Sequence, residues 1–228
     1  FYWGGVEQRC GAPLYAMNDR TGQWQEAFED MYTGPGIDGK QWLSVLGNHD
    51  YGGYRFQAGW DAVIGYTWLG EAPSTGRWVQ PSQYYKTKVH YADFTVDYFF
   101  VDTNVFDAWE PISDANHNLC SLEHNPTPAT CGPQGPESTW DCPHWFGKLW
   151  DVQMKWMEKH LPESTADWQI VVTHFPPVWG REDWVPLSEK FGIDLIVTGH
   201  QHRQYVVGPE DEGNFLKPTP YIVSGGGG

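Results

Sequence analysis

Three apolar runs that each end in a ligand-bearing turn constrain this chain more than any other feature. Trp42-Leu43-Ser44-Val45-Leu46 leads into Gly47-Asn48-His49-Asp50, Ile170-Val171-Val172-Thr173 into His174-Phe175-Pro176-Pro177, and Ile193-Asp194-Leu195-Ile196-Val197-Thr198 into Gly199-His200-Gln201-His202. Short apolar runs punctuated by Gly and Pro read as buried parallel strands, which places the chain in the α/β class. In an open α/β sheet, ligands bind beyond the carboxyl ends of the strands, so three such ends aim their imidazoles and amide at one place. Imidazole nitrogen suits zinc and iron, and the neutral amide oxygen of Asn48 suits a divalent ion that keeps open positions. That place therefore reads as a metal site.

Residue types then suggest the chemistry. His200 and His202 stand two apart at a strand end, where a turn can spread them over two adjacent ions. Two ions about 4 Å apart clamp the attacking and leaving oxygens of a phosphoryl group, so the reaction read here is phosphoester hydrolysis. His49, next to a ligand, is positioned to contact phosphate or to protonate the leaving group, with Asp50 to orient it. Singly, each residue has a plainer reading: His174 as a core histidine, Asn48-His49 as an ordinary turn, and Tyr2 as one more core aromatic. Gly199-His200-Gln201-His202 carries more weight, because nothing nearby neutralises or buries two imidazoles.

The rest of the chain supplies a scaffold. Trp24, Ala27, Phe28 and Met31 lie at helical spacing within 23 to 32, with Glu26, Glu29 and Asp30 opposite. Residues 53 to 81 read as loop and short helix, and Tyr84 to Tyr91 with Phe94 to Asp102 as an antiparallel hairpin. Residues 104 to 145 read as an irregular, cysteine-bearing insertion. Trp150, Met154, Met157 and Leu161 line one helical face within 148 to 161, a core stripe. Strands at 168 to 173 and 193 to 198 flank a short amphipathic segment near Leu187 to Phe191, a βαβ pattern with a right-handed crossover. Pro220 to Ser224 is a last strand. Glu182-Asp183 and Glu210-Asp211-Glu212 read as solvated faces.

Composition narrows the function classes. With 14 Lys and Arg against 29 Asp and Glu, the formal charge is −15, which argues against nucleic acid and anionic lipid as partners. No apolar run approaches the membrane-spanning length of about 20. Fourteen Trp suggest an aromatic surface suited to burial under loops or against a protein partner. Cys10, Cys120, Cys131 and Cys142 read as two disulfides in any of three pairings, which implies a secretory, extracellular or lumenal compartment. A zinc site recruiting His117, His124 or His144 is the weaker reading, because the cysteine spacing gives no tight ligand pair.

The Asn48-His49, His174 and His200-His202 blocks resemble, in order and spacing, three metal-binding blocks of the calcineurin-like metallophosphoesterases. Phe1-Tyr2 followed by Gly4-Gly5-Val6, Gln25 to Asp30, and Phe100-Val101-Asp102-Thr103 resemble the small, tartrate-resistant type of purple acid phosphatase. The resemblance implies a four-layer α/β/β/α sandwich of mixed sheets, here lacking its first strand. It implies a single domain over 1 to 228, truncated at both ends, with 104 to 145 as its insertion. It implies hydrolysis of phosphomonoesters by attack of a metal-bound hydroxide, with Fe(III) and a second divalent ion (Fe, Zn or Mn). Tyr2 and His202 match ligands of the ferric ion, Asn48, His174 and His200 match ligands of the second ion, and His49 matches the histidine that contacts phosphate.

This sequence departs from the pattern in two places. The two aspartate ligands of the family do not occur in it and would fall upstream of Phe1, so the chain reads as a piece of a longer protein. A second phosphate-contacting histidine, usually about nine residues after the position of His174, is replaced by the stretch Gly180-Arg181-Glu182-Asp183-Trp184. Its role passes to Asp183 or to a histidine of the insertion, or is lost. The alternative reading is accordingly a weakly active or inactive relative that serves as an anchoring subunit, as glideosome-anchored relatives do. A nuclease or cyclic-nucleotide phosphodiesterase shares the metal blocks but fits poorly with the acidic charge and Tyr2.

Overall fold

The computed structural model describes residues 5–6, 8–11, 22–70, 72–126 and 128–226. Their contacts divide into two compact units, residues 1–83 with 107–147 and residues 84–106 with 148–228.

The second unit is built on a six-stranded mixed sheet in the order β3-β4-β5-β6-β8-β7. β3 (Tyr85–His90) and β4 (Thr95–Val101) form the expected antiparallel hairpin, with Tyr85 opposite Phe100 and His90 opposite Thr95. β4, β5 (Trp168–Thr173), β6 (Leu195–Thr198) and β8 (Tyr221–Ser224) run parallel, and in β5, β6 and β8 fully buried residues such as Val171, Ile196 and Val223 alternate with partly buried ones. β7 (Gln204–Val207) closes one edge antiparallel to β8. That edge strand was not legible beforehand: Gln204, Tyr205 and Val206 are all exposed, so no buried alternation marks it.

Helices α2 (Cys142–His160) and α3 (Arg181–Phe191) contribute Trp150, Met157, Trp184 and Leu187 to one core with Phe99, Val101, Val171, Ile196 and Val223 of the strands. Both helices are longer than the sequence suggests. α2 begins six residues before Lys148, inside the stretch read as irregular, with Pro143 in its first turn, where a missing N–H costs nothing. α3 begins at Arg181, and Pro186 within it disguised the helical period. Its first turn is not simply a solvated acidic face, because Asp183 Oδ2 accepts from Trp150 Nε1 at 3.0 Å.

The first unit relies on aromatic packing rather than long strands. Within the strand expected over 42 to 46, the regular part is β1 (Trp42–Leu43), parallel to β2 (Trp78–Val79), and Ser44 N adds one further bond to Val79 O at 3.1 Å. Trp24 stacks on Tyr66 at 3.8 Å, and Phe28 packs edge-on against Trp78 at 5.2 Å. Tyr66 belongs to α1 (Trp60–Thr67). Much of the tryptophan excess is thus interior, with Trp24, Trp60, Trp78, Trp150 and Trp184 buried, while Trp68, Trp109, Trp140, Trp168 and Trp179 remain exposed.

The helix expected over 23 to 32 contains a π-turn over Gln25–Glu29, in which Asp30 N donates to Gln25 O five residues back. The wider turn rotates the following residues away from a 3.6-residue period. Met31, expected on the apolar face, is therefore 66 % exposed, and Glu29, expected on the polar face, is 4 % exposed. Glu29 meets Arg77 at 2.8 Å and also accepts from Tyr66 Oη, Thr75 Oγ1 and Thr75 N. Two disulfides, Cys10–Cys131 and Cys120–Cys142, select one of the three pairings the sequence allows.

Burial pushes the Glu29 carboxyl up, but the bonds from Arg77, Thr75 and Tyr66 outweigh it and hold the group below the ordinary carboxylate range. A lowered folded-state value means that Glu29 stabilises the fold above the unfolded pKa, near pH 4.3, and that this contribution vanishes as pH falls through the folded value. Glu29→Gln leaves Arg77 a buried charge without its counter-ion and should cost about 3 kcal/mol at pH 7. Urea unfolding at pH 7 and at pH 3 checks this: the gap between wild type and variant should narrow at the lower pH.

Candidate metal centre

His174 is the first residue after β5, and His200 is the second after β6. Because these strands pair in parallel with Val172 opposite Val197, their carboxyl ends stand side by side. The turns are then locked together, since Gly199 N and Thr198 Oγ1 both donate to His174 O, at 3.0 and 2.8 Å. His174 Nε2 and His200 Nδ1 come within 3.3 Å, with the ring centroids 5.1 Å apart and nearly perpendicular.

That spacing fits a shared cation. Two nitrogens bound to one tetrahedral ion at about 2.1 Å stand roughly 3.4 Å apart. The buried ring of Phe175 lies 4.0 Å from that of His200, and Trp179 meets His200 edge-on at 5.5 Å, giving the imidazole an aromatic wall. His200 holds φ = 60°, a left-handed conformation that costs an ordinary side chain roughly 1–2 kcal/mol. Glycine or asparagine would sit more easily at that position.

Asn48 and His49 belong to the first unit. They occupy a tight turn in which Asp50 N donates to Gly47 O and Gly53 N to Asn48 O. Asp50 Oδ2 accepts from Gly47 N at 2.8 Å and closes the turn. Gly53 must lack a side chain: at φ = 76°, a Cβ there would stand 3.2 Å from His49 Nδ1. The ring of His49 is half-buried, and Asn48 is buried.

Asn48 Nδ2 donates to Asp107 Oδ2 at 2.8 Å. Burial pushes the Asp107 carboxyl up to about 6, against the opposing pull of the Asn48 bond and of His117, whose Nδ1 lies 3.8 Å away. Sequence reading missed Asp107, which stands 59 residues beyond its partner in the irregular stretch, and no local pattern connects the two.

Of the five expected metal ligands, the structure brings His174 and His200 together. His202 is exposed in the turn that follows, Asn48 lies in the first unit, and Tyr2 is outside the described residues. Among the described residues, no group of three or more His, Cys, Asp or Glu side chains is gathered to hold a metal ion. Asp183, one candidate for the role of the replaced histidine, is committed to the Trp150 indole.

The chain is similar to known proteins in sequence and, in one case, in fold. A family model described as calcineurin-like phosphoesterase matches residues 15–204. Tartrate-resistant acid phosphatase type 5 of Homo sapiens is 26 % identical over 240 residues, covering 100 % of this chain and 58 % of the relative. Purple acid phosphatase 17 of Arabidopsis thaliana is 28 % identical over 213 residues, covering 90 % of this chain and 52 % of the relative. A solved structure titled "GAP50 the anchor in the inner membrane complex of Plasmodium" aligns with a TM-score of 0.59 at 19 % identity, covering 100 % of this chain and 59 % of that one, a likeness of fold. The chain thus spans little more than half the length of these curated relatives. With the family model covering most of its residues and the histidines standing at the ends of adjacent parallel strands, the chain belongs to the calcineurin-like phosphoesterase family.

Proposed function

We propose that this chain forms part of a binuclear-metal acid phosphatase that hydrolyses phosphomonoesters. The observation that carries the reading is the 3.3 Å approach of His174 Nε2 to His200 Nδ1 in a member of this family. His174, His200 and Asn48 would hold a divalent ion (Fe, Zn or Mn), and Tyr2 and His202 would hold Fe(III). These residues would belong to one phosphoesterase domain that carries 104–145 as an insertion. Bound ions would supply Lewis acidity and neutralise charge during displacement at phosphorus. His49 contacts the phosphate or hands a proton to the leaving oxygen, and the Gly47–Gly53 turn fixes its position.

The compartment proposed is the secretory pathway, extracellular or lumenal, supported by two disulfides. Among the described residues, no helix is long and apolar enough to cross a membrane. The net charge of −15 supports a partner list without nucleic acid. Exposed Trp68, Trp109, Trp140, Trp168 and Trp179 offer surface for a protein partner.

A second reading, a weakly active or inactive protein that anchors an assembly, draws support from one contact. In the stretch where the family usually carries a further phosphate-contacting histidine, the carboxylate of Asp183 is bonded to Trp150. The solved structure of similar fold is titled an anchor, which suits the same reading.

The full-length protein loaded with iron and zinc should be purple and should release phosphate from 4-nitrophenyl phosphate near pH 5; a colourless, inert protein would reject the enzyme reading. His174→Ala and His200→Ala should each lower kcat/KM by at least about 100-fold, and chelation of the metals should abolish turnover. If activity is absent and the protein instead purifies in a complex of fixed stoichiometry, the anchoring reading replaces it.

A further inference from the structure

The contact between Asn48 and Asp107 has consequences for any cation held by Asn48. A primary amide carries its oxygen and its NH2 on one plane, and half a turn about χ2 exchanges them at little steric cost. At pH 8 the Asp107 side chain is ionised and can only accept. Asp107 Oδ2, receiving Asn48 Nδ2 at 2.8 Å, therefore holds the NH2 end and directs Oδ1, the atom able to ligate a cation, away from itself.

Both side chains are buried, at 2 % for Asn48 and 3 % for Asp107. The ion pair within reach of Asp107 is His117, 3.8 Å away and 66 % exposed, a weak compensation for burying a carboxylate. Keeping such a group for stability alone is costly.

The backbone around Asp107 is fixed as well. Leu119 N donates to Asp107 O at 2.7 Å, and Phe56 N donates to Leu119 O at 3.2 Å. Asn125 Nδ2 bonds both Leu119 O and Tyr54 O, and the Cys120–Cys142 disulfide fastens the same stretch. The irregular stretch is thus knitted to the residues that follow the Asn48 turn, with Asp107 at the end of the connection.

We infer that Asp107 is a positioning residue, which sets the Asn48 amide so that Oδ1, rather than the NH2, is the end turned toward the divalent cation that Asn48 would hold. The inference rests on the metal-binding reading of Asn48 given above. Partners of this kind commonly alter metal affinity by about 10–100-fold when removed.

The test is zinc affinity of the full-length protein at pH 8, measured by competition with a chromophoric chelator, for wild type, Asp107→Ala and Asp107→Asn. Thermal melting of the metal-free forms is followed in parallel. Asp107→Ala should weaken zinc binding by about 10–100-fold. Asp107→Asn has the same shape but can donate as well as accept, so it permits the flipped amide and should fall between the two. A purely structural role would lower the melting temperature and leave the zinc affinity of the folded protein unchanged. Affinities of both variants within twofold of wild type would overturn the inference while leaving the phosphatase reading intact. Failure of the wild type itself to take up zinc would overturn both. If Asp107→Ala does not fold, Asp107→Asn decides in the same way: weakened binding supports the role, and unchanged binding removes it.

Discussion

The parallel pairing of β5 with β6 is the constraint on which the approach of His174 to His200 depends. With Val172 opposite Val197, the two strands finish at the same level, and the residues just beyond them are His174 and His200. A one-residue slip would turn every side chain of one strand to the other face and part the two imidazoles. The register is held by burial, since Val171 and Ile196 are fully enclosed and α3 covers them with Trp184 and Leu187. Losing a large buried side chain such as Trp184 typically costs about 3–5 kcal/mol, so the spacing of the two nitrogens is backed by buried packing.

The first unit reaches order by other means. Two strands of two residues each would be marginal alone, and the stacked Trp24 and Tyr66, the Glu29–Arg77 pair and two disulfides do what a wide sheet does elsewhere. The buried Glu29 carboxylate accepts from four donor groups of Arg77, Thr75 and Tyr66, which makes the ion pair part of a network rather than an isolated bridge. The Asn48 turn inherits its rigidity from this surrounding, because Tyr51 behind it packs on Trp60 and Phe146.

Where the chemistry repeats locally, the sequence could be read. The parallel strands, the hairpin, the βαβ order and the histidine blocks all announce themselves through short apolar runs ended by turn residues. Legibility failed where a local rule was bent. A π-turn moved Glu29 inward and Met31 outward, prolines masked the first turn of α2 and the middle of α3, and β7 shows too little burial to leave a pattern. Asp107 was invisible for a different reason: its meaning comes from a residue 59 positions away, and no periodicity crosses such a distance. The cysteines could be read as bridged but not paired, since pairing is settled by spatial proximity.

The left-handed backbone at His200 makes that position a gauge of selection. Replacement there by glycine or asparagine would relieve the main chain, so on the metal-binding reading proposed for His200 its ring must offset a backbone cost that those residues would not carry. In a lineage released from the need to hold a cation, position 200 should be among the first of the centre to drift, ahead of His174, whose backbone carries no such burden. Residue identity at this one site across homologues would therefore separate working descendants of the fold from those that have become scaffolds.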